Sequence, residues 1–404
     1  MSTFAFVNIA LQGHVNPTLP VVAELVRRGH TVTYHVAPAF ADVVAATGAT
    51  VRTYPGGRPD AARAADASDD AGRARAHDRR AAARTAGRPA PHRPGPGRAR
   101  LGLSVGRGRG RGAGGVPAVS AFTTFAFGRR VASPTRASWP MIASAAARPG
   151  VATGYLRSRW ELHRAYATGR LPLLDLANVR QPLNLVFTAR AFQPDAESFD
   201  DSYRFVGPSL GERPRDPSFP MDALRDPVLY ASPGTVLDAG PALLRTFAAA
   251  LAPLGGTVVI STGRTDPAAL GPLPPNVLAR RFVPQLEVLD RAALFVTHGG
   301  MNSVNEALHA GVPMLVLPQG ADQPLVARRV AELGAGLALA PHEADTEAVQ
   351  VRAGLLLGEP RFRVAAYDLR DAQRAAGGYR RAADELERHL GQGSRPVPAN
   401  ARGR

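Results

Sequence analysis

The chain has 404 residues, 45% of them hydrophobic, no cysteine and a formal net charge of +16. That length accommodates two domains of about 100–200 residues each, and the absence of cysteine excludes a disulfide scaffold, thiolate metal sites and thiol nucleophiles. Such a charge would ordinarily raise nucleic acid or an anionic membrane as partners, yet residues 58–114 alone carry fourteen Arg against five Asp and the chain has no Lys at all, which reads as codon bias in a GC-rich genome rather than phosphate recognition.

Residues 4–10 read as a buried first strand. The apolar run is too short to span a bilayer and lacks a basic flank, so it is neither a membrane helix nor a signal peptide, and a soluble, cytoplasmic protein is expected. The loop Gln12-Gly13-His14-Val15-Asn16-Pro17 follows, then an amphipathic helix over 19–27 closed by Gly29, then a strand over 31–36. This is a βαβ start, and it puts His14 at the carboxyl edge of the sheet. A loop histidine by itself is more often a solvated side chain than a base.

Residues 58–114 break the pattern: 44 of these 57 residues are Arg, Ala, Gly or Pro, and only Leu101, Leu103 and Val105 are large and apolar. A segment so poor in burial surface cannot offset its ordering entropy, and it is expected to be disordered. Two origins fit, a natural basic insert or a pair of compensating frameshifts in GC-rich DNA. The frameshift is preferred because strand-like sequence resumes abruptly at Gly115-Val116-Pro117-Ala118-Val119-Ser120. Residues 118–127 read as an aromatic strand, 151–168 as a helix carrying Trp160 and Tyr166, and 183–188 as another buried strand. A Pro/Asp/Arg-rich linker is expected at 210–218.

The second half alternates strands (228–232, 257–261, 292–296, 314–317, 336–340) with helices, which predicts a doubly wound parallel sheet. Its centre is the run Thr297-His298-Gly299-Gly300-Met301-Asn302-Ser303, where an apolar strand meets two glycines and a helix over 301–310 begins, with Gly311 placed as its αL cap. Exposed amides and the positive end of a helix dipole favour a phosphate or diphosphate there. His298, Asn302 and Ser303 add donors; Glu306, one turn on, suits ribose hydroxyls; Asp322 and Gln323, past the next strand, suit sugar hydroxyls. Helical sequence over 361–390 is interrupted at Gly377-Gly378, and the tail from 391 is Gly/Pro/Arg-rich and expected to be disordered. Each of these features alone also fits an ordinary tight βα turn.

Taken together, Phe282-Val283-Pro284-Gln285, Thr297-His298-Gly299-Gly300, Asn302-Ser303, Glu306, Gly311-Val312-Pro313, Pro318 and Asp322-Gln323 resemble the nucleotide-sugar signature of family 1 glycosyltransferases, most of all the bacterial macrolide and antibiotic branch. The Gly13-His14-Val15-Asn16-Pro17 loop is similar to the one carrying that family's base, and Phe192-Gln193-Pro194 with Phe205-Val206-Gly207-Pro208-Ser209 also resembles the macrolide branch. The resemblance implies a GT-B fold, two Rossmann-like α/β domains facing a cleft: an acceptor domain over 1–209, disrupted at 58–114, the linker, a nucleotide-sugar domain over 219–376, a helix over 377–390 crossing back, and the tail 391–404. It implies His14 as catalytic base and, as donor-binding residues, Ser232, Thr235, Val283, Gln285, His298, Gly299, Gly300, Asn302, Ser303, Glu306, Asp322 and Gln323. Pro233 stands where the family usually has Leu and removes one N–H.

The implied reaction is inverting transfer of a hexose from UDP-glucose or a TDP-sugar to a hydroxyl of an apolar acceptor such as a macrolide. A subset of Phe122, Phe125, Phe127 and Trp160 would face the aglycone. With no Asp-x-Asp motif in the chain, no metal and no cofactor beyond the co-substrate are expected. The family orients its base with an aspartate, yet residues 79–150 contain no Asp or Glu. The alternative is therefore a catalytically impaired nucleotide-sugar-binding homologue or auxiliary protein. A nucleic-acid binder is disfavoured because the Arg-rich segment has no interleaved aromatics.

Overall fold

The structure is a computed structural model, and it describes residues 1–54, 100–104 (backbone only), 117–128, 131, 153, 157, 160, 180–213, 216–234 and 240–393. The chain forms two compact units. The first holds a seven-stranded sheet of β1 (Thr3–Val7), β2 (Thr31–Val36), β3 (Thr50–Thr53), β4 (Arg100–Ser104), β5 (Ala118–Phe122), β6 (Leu183–Val186) and β7 (Tyr203–Phe205). Their order is β3-β2-β1-β4-β5-β6-β7, and the pairing is parallel throughout. From β1 the strands are added outward in sequence order through β2 and β3, and from β4 outward to the other edge through β7, so the topology switches between β1 and β4.

Strand β4 corrects the expectation that all of 58–114 is disordered. Thr3 to Val7 of β1 pair with Arg100 to Ser104, and Gly102 to Ser104 pair onward with β5. Two waiting strand edges satisfy the backbone groups of this segment, a gain that composition alone does not register. The remainder of 58–99 and 105–114, and with it the frameshift reading, lies outside the described residues, as do Tyr166 and residues 394–404. Thr153, Arg157 and Trp160 are helical.

The core of the first unit is built from β1 and β2 with the helix Leu19–Arg27, whose Val21, Val22 and Leu25 are buried. Ala382, Ala383, Leu386 and Leu390 of the helix Gly378–Gly393 complete it. Arg28 ties the same helices together, bonding Glu24, Asp384 and Glu387 at 2.7 Å each.

The second unit contains β8 (Val228–Ser232), β9 (Thr257–Ser261), β10 (Val277–Arg280), β11 (Ala292–Thr297), β12 (Met314–Val316) and β13 (Gly336–Ala338). The order is β10-β9-β8-β11-β12-β13, again all parallel. The near-continuous apolar strands are what burial on both faces requires. Residues Thr188–Pro194, counted above with the first domain, belong to this unit. Polar contacts explain the placement: Thr188 Oγ1 donates to Asn305 Oδ1 at 2.9 Å, the amide of Ala189 donates to Gln373 Oε1 at 2.8 Å, and Arg329 donates to the carbonyls of Ala191, Phe192 and Gln193. None of these registers in an apolar pattern.

Candidate functional site

In the second unit the switch in strand order falls between β8 and β11, and ligands in such sheets bind outside the carboxyl ends at that point. The loops leaving these two strands carry Ser232-Pro233-Gly234 and His298-Gly299-Gly300. The His298 imidazole lies against both glycines. A Cβ on Gly234 would stand 2.7 Å from its Cε1 and 2.9 Å from Nδ1, and one on Gly300 would collide with Nε2. Gly299, at φ +84°, takes the left-handed turn, and a Cβ there would meet Val316 Cγ1 at 2.7 Å. Two glycines thus accommodate a ring, and the third turns the chain.

Burial drives the His298 pKa down to about 4, partly opposed by the Asp322 charge and the Ser232 carbonyl. The ring is therefore neutral at pH 7, and its buried Nδ1 has no hydrogen-bond partner among the described residues. The helix Met301–Ala310 starts at Gly300 without a side-chain cap. Its first-turn amides, those of Met301, Asn302 and Ser303, have no acceptor within the helix. This is a concentration of backbone donors beside a neutral ring, an arrangement suited to a diphosphate.

Glu306 lies one turn deeper, buried to 4% exposure. It accepts from Gln285 Nε2 at 2.6 Å and from the Arg213 guanidinium. Gln285 in turn accepts from the buried Tyr230 hydroxyl at 2.9 Å and reaches Ser303 Oγ at 3.5 Å. Burial raises the Tyr230 pKa, so the phenol is a fixed donor. Ser303, Glu306 and Gln285 therefore form one connected group, while Val283 is half-buried on the segment before Gln285 and Phe282 beside it is 75% exposed. Past β12, Ala321 sits at φ +55°, an unusual conformation for alanine, directly before Asp322, which opens the helix Gln323–Glu332. Gln323 Oε1 accepts from the amides of Gln319 and Gly320 at 2.7 and 3.1 Å, fixing that turn. Thr235 lies outside the described residues. Arg213, Tyr230 and the supporting role of Gly234 were not foreseen from the sequence; a tyrosine inside an apolar strand was the available signal for one of them.

In the first unit, His14 lies on the short helix Gln12–Val15 after β1. Buried Asn8, at the end of β1, holds this loop: its Nδ2 donates to the His14 carbonyl and to the Tyr34 hydroxyl, both at 2.8 Å, and Thr18 Oγ1 donates to the Val15 carbonyl at 2.7 Å. The imidazole Nδ1 is 2.9 Å from Thr123 Oγ1, just past β5. Phe122, Phe125 and Phe127 are buried to between 0 and 6% exposure, whereas Trp160 is 58% exposed. The three phenylalanines are thus core residues, and of the four aromatics proposed to face an acceptor only Trp160 presents a ring at the surface. Among the described residues no group of three His, Asp or Glu side chains could hold a metal ion, and no helix is long and apolar enough to cross a membrane.

Comparison with known proteins adds an independent line. The profile of the erythromycin biosynthesis protein CIII-like C-terminal domain matches residues 245–387. The oleandomycin glycosyltransferase of Streptomyces antibioticus is 34% identical over 403 residues, covering 96% of this chain and 90% of its own. The NDP-glycosyltransferase YjiC of Bacillus subtilis (strain 168) is 38% identical over 230 residues, 56% of this chain; the aligned part spans 59% of that relative's length. Among solved structures, the glycosyltransferase of kitacinnamycin superposes with a TM-score of 0.78 at 30% identity, covering 96% of this chain and 99% of that one.

Proposed function

The chain belongs to the GT-B glycosyltransferases of family 1, in the macrolide and antibiotic branch, and from that premise we propose that it transfers a hexose from UDP-glucose or a TDP-sugar to a hydroxyl of an apolar natural-product acceptor, with inversion. The observation that carries the donor half is the neutral His298 ring between Gly234 and Gly300 at the uncapped end of the helix Met301–Ala310, where the strand order switches. Those amides, His298, Ser232 and Ser303 would receive the diphosphate; Gln285 and Glu306 would receive the nucleoside; Asp322 and Gln323 would receive the sugar.

In this reading the acceptor oxygen attacks the anomeric carbon from the face opposite the diphosphate, the bond from that carbon to the diphosphate oxygen breaks, and the acceptor proton passes to His14 Nε2. A positioned base contributes roughly 10²–10⁴ in rate. The negative charge growing on the leaving diphosphate meets preorganised donors, which substitute for a metal ion in this mechanism. The products are a glycoside and a nucleoside diphosphate. The proposed setting is cytoplasmic, with a nucleotide sugar and a small apolar acceptor as partners and no nucleic acid.

Calorimetry with UDP and TDP tests the donor half, and mass spectrometry of reactions with UDP-glucose or TDP-glucose and a panel of macrolide and phenolic acceptors tests the transfer. A glycoside that forms undiminished in EDTA and fails to form with Gly300→Val supports the reading. Unchanged nucleotide affinity in Gly300→Val would count decisively against the site.

A further inference from the structure

We propose that Thr123 is the positioning residue of His14: its hydroxyl oxygen accepts the Nδ1–H of the imidazole and so leaves the Nε2 lone pair directed at the acceptor. This rests on the reading of His14 as the base. Thr123 is 7% exposed and follows directly on the buried strand β5, so its side chain is held by packing, and its Oγ1 stands 2.9 Å from Nδ1. The His14 backbone is fixed separately, through Asn8, Thr18 and Tyr34. Thr123 consequently acts on the orientation and tautomer of the ring, not on the loop that carries it.

The tautomer matters because a neutral imidazole carries one N–H, and the hydrogen bond at one nitrogen decides which nitrogen carries it. A base working through Nε2 needs the proton on Nδ1. Residues 79–150 contain no carboxylate to accept that proton. A threonine oxygen has two lone pairs and a rotatable hydrogen, so it accepts from Nδ1 while its own hydrogen turns elsewhere. It fixes the tautomer as a carboxylate would, but it adds no negative charge to stabilise the imidazolium formed during transfer.

The test uses the full chain with 15N-labelled histidine, the His14 resonances being identified by their loss in His14→Ala. Wild type and Thr123→Ser should show the Nδ1–H tautomer, and Thr123→Val should move His14 towards Nε2–H. A wild-type ring that is Nε2–H overturns the inference without any substrate. In the transfer assay Thr123→Val should lower kcat by about 10-fold or more with donor KM within about twofold of wild type, and Thr123→Ser should recover to within about threefold. Full turnover in His14→Ala refutes the base reading itself. An inert His14→Ala beside a Thr123→Val with wild-type turnover and tautomer refutes only the role of Thr123.

Discussion

Replacing Gly300 by alanine separates the donor reading from a purely structural account of the glycine turn. Gly300 has φ −62° and ψ 133°, an ordinary extended conformation that alanine adopts without strain. The added methyl meets the His298 ring first, at Nε2, and that ring already lies against the Gly234 backbone. On the unfolded side the substitution gains about 0.4–1 kcal/mol by reducing chain entropy, which offsets part of the roughly 1–3 kcal/mol cost of overpacking against the imidazole, so net stability should fall by about 2 kcal/mol or less. Binding should respond separately. A hydrogen bond to a charged group is worth about 1.5–3 kcal/mol, so losing the His298 contact weakens UDP or TDP binding by roughly 10- to 150-fold. Calorimetric titration gives the affinity and scanning calorimetry the stability of the same sample. Gly299→Ala is the contrasting variant: at φ +84° and against Val316 it should lose about 1–2 kcal/mol of stability from the backbone alone. Wild-type nucleotide affinity in Gly300→Ala refutes the placement of the diphosphate beside His298.

Three further outcomes follow from particular residues. Because the folded pKa of His298 lies at about 4, below its unfolded value near 6.5, acid protonates the unfolded chain first; its contribution is complete above pH 6.5 and is lost as pH falls towards 4, in total about 3 kcal/mol and about 2 kcal/mol of it by pH 5. Burial lowers His35, His309 and His389 in the same direction, so urea titrations at pH 7.5 and 5 should show a steep loss that flattens in His298→Gln. Ala321→Gly should stabilise the second unit by up to about 1 kcal/mol by relieving a left-handed alanine, readable as a higher Tm; a lower Tm would contradict the conformation at φ +55°. Arg28→Ala leaves Glu24, 4% exposed, without one of its partners and should cost about 2–3 kcal/mol, with UDP affinity within twofold of wild type because the donor residues lie in the other unit.

The donor sheet was legible because its strands are uninterrupted apolar runs and its turns are marked by glycines, two signals that local sequence carries. Strand β4 was not, since Arg100-Leu101-Gly102-Leu103-Ser104 owes its conformation to the edges of β1 and β5 on either side rather than to its own composition. The site residues chosen by motif include Glu306, but nothing in its neighbourhood of sequence points to Arg213, 93 positions earlier, as its partner. Thr123 escaped for a related reason: a lone hydroxyl in an aromatic run has no periodicity, and only the folded approach of His14 gives it meaning. The aromatic run 118–127 carries no such signal either, because an aromatic near a ligand and an aromatic in a core look alike in sequence; the structure buries Phe122, Phe125 and Phe127 and leaves Trp160 exposed.

The helix Gly378–Gly393 fixes an order of events in synthesis. Its Ala382, Ala383, Leu386 and Leu390 fill the first unit's core beside the helix Leu19–Arg27, yet the ribosome makes them only after the whole stretch Glu212–Ala376. At about 5–20 residues per second those 165 residues take roughly 10–30 s. Throughout that interval the nascent first unit exposes an apolar groove over Val21, Val22 and Leu25, and the second unit completes its own core only as the interval ends. The amino-terminal half of this chain thus finishes folding last, and its yield in a cell should depend on how well that groove is kept from other nascent chains.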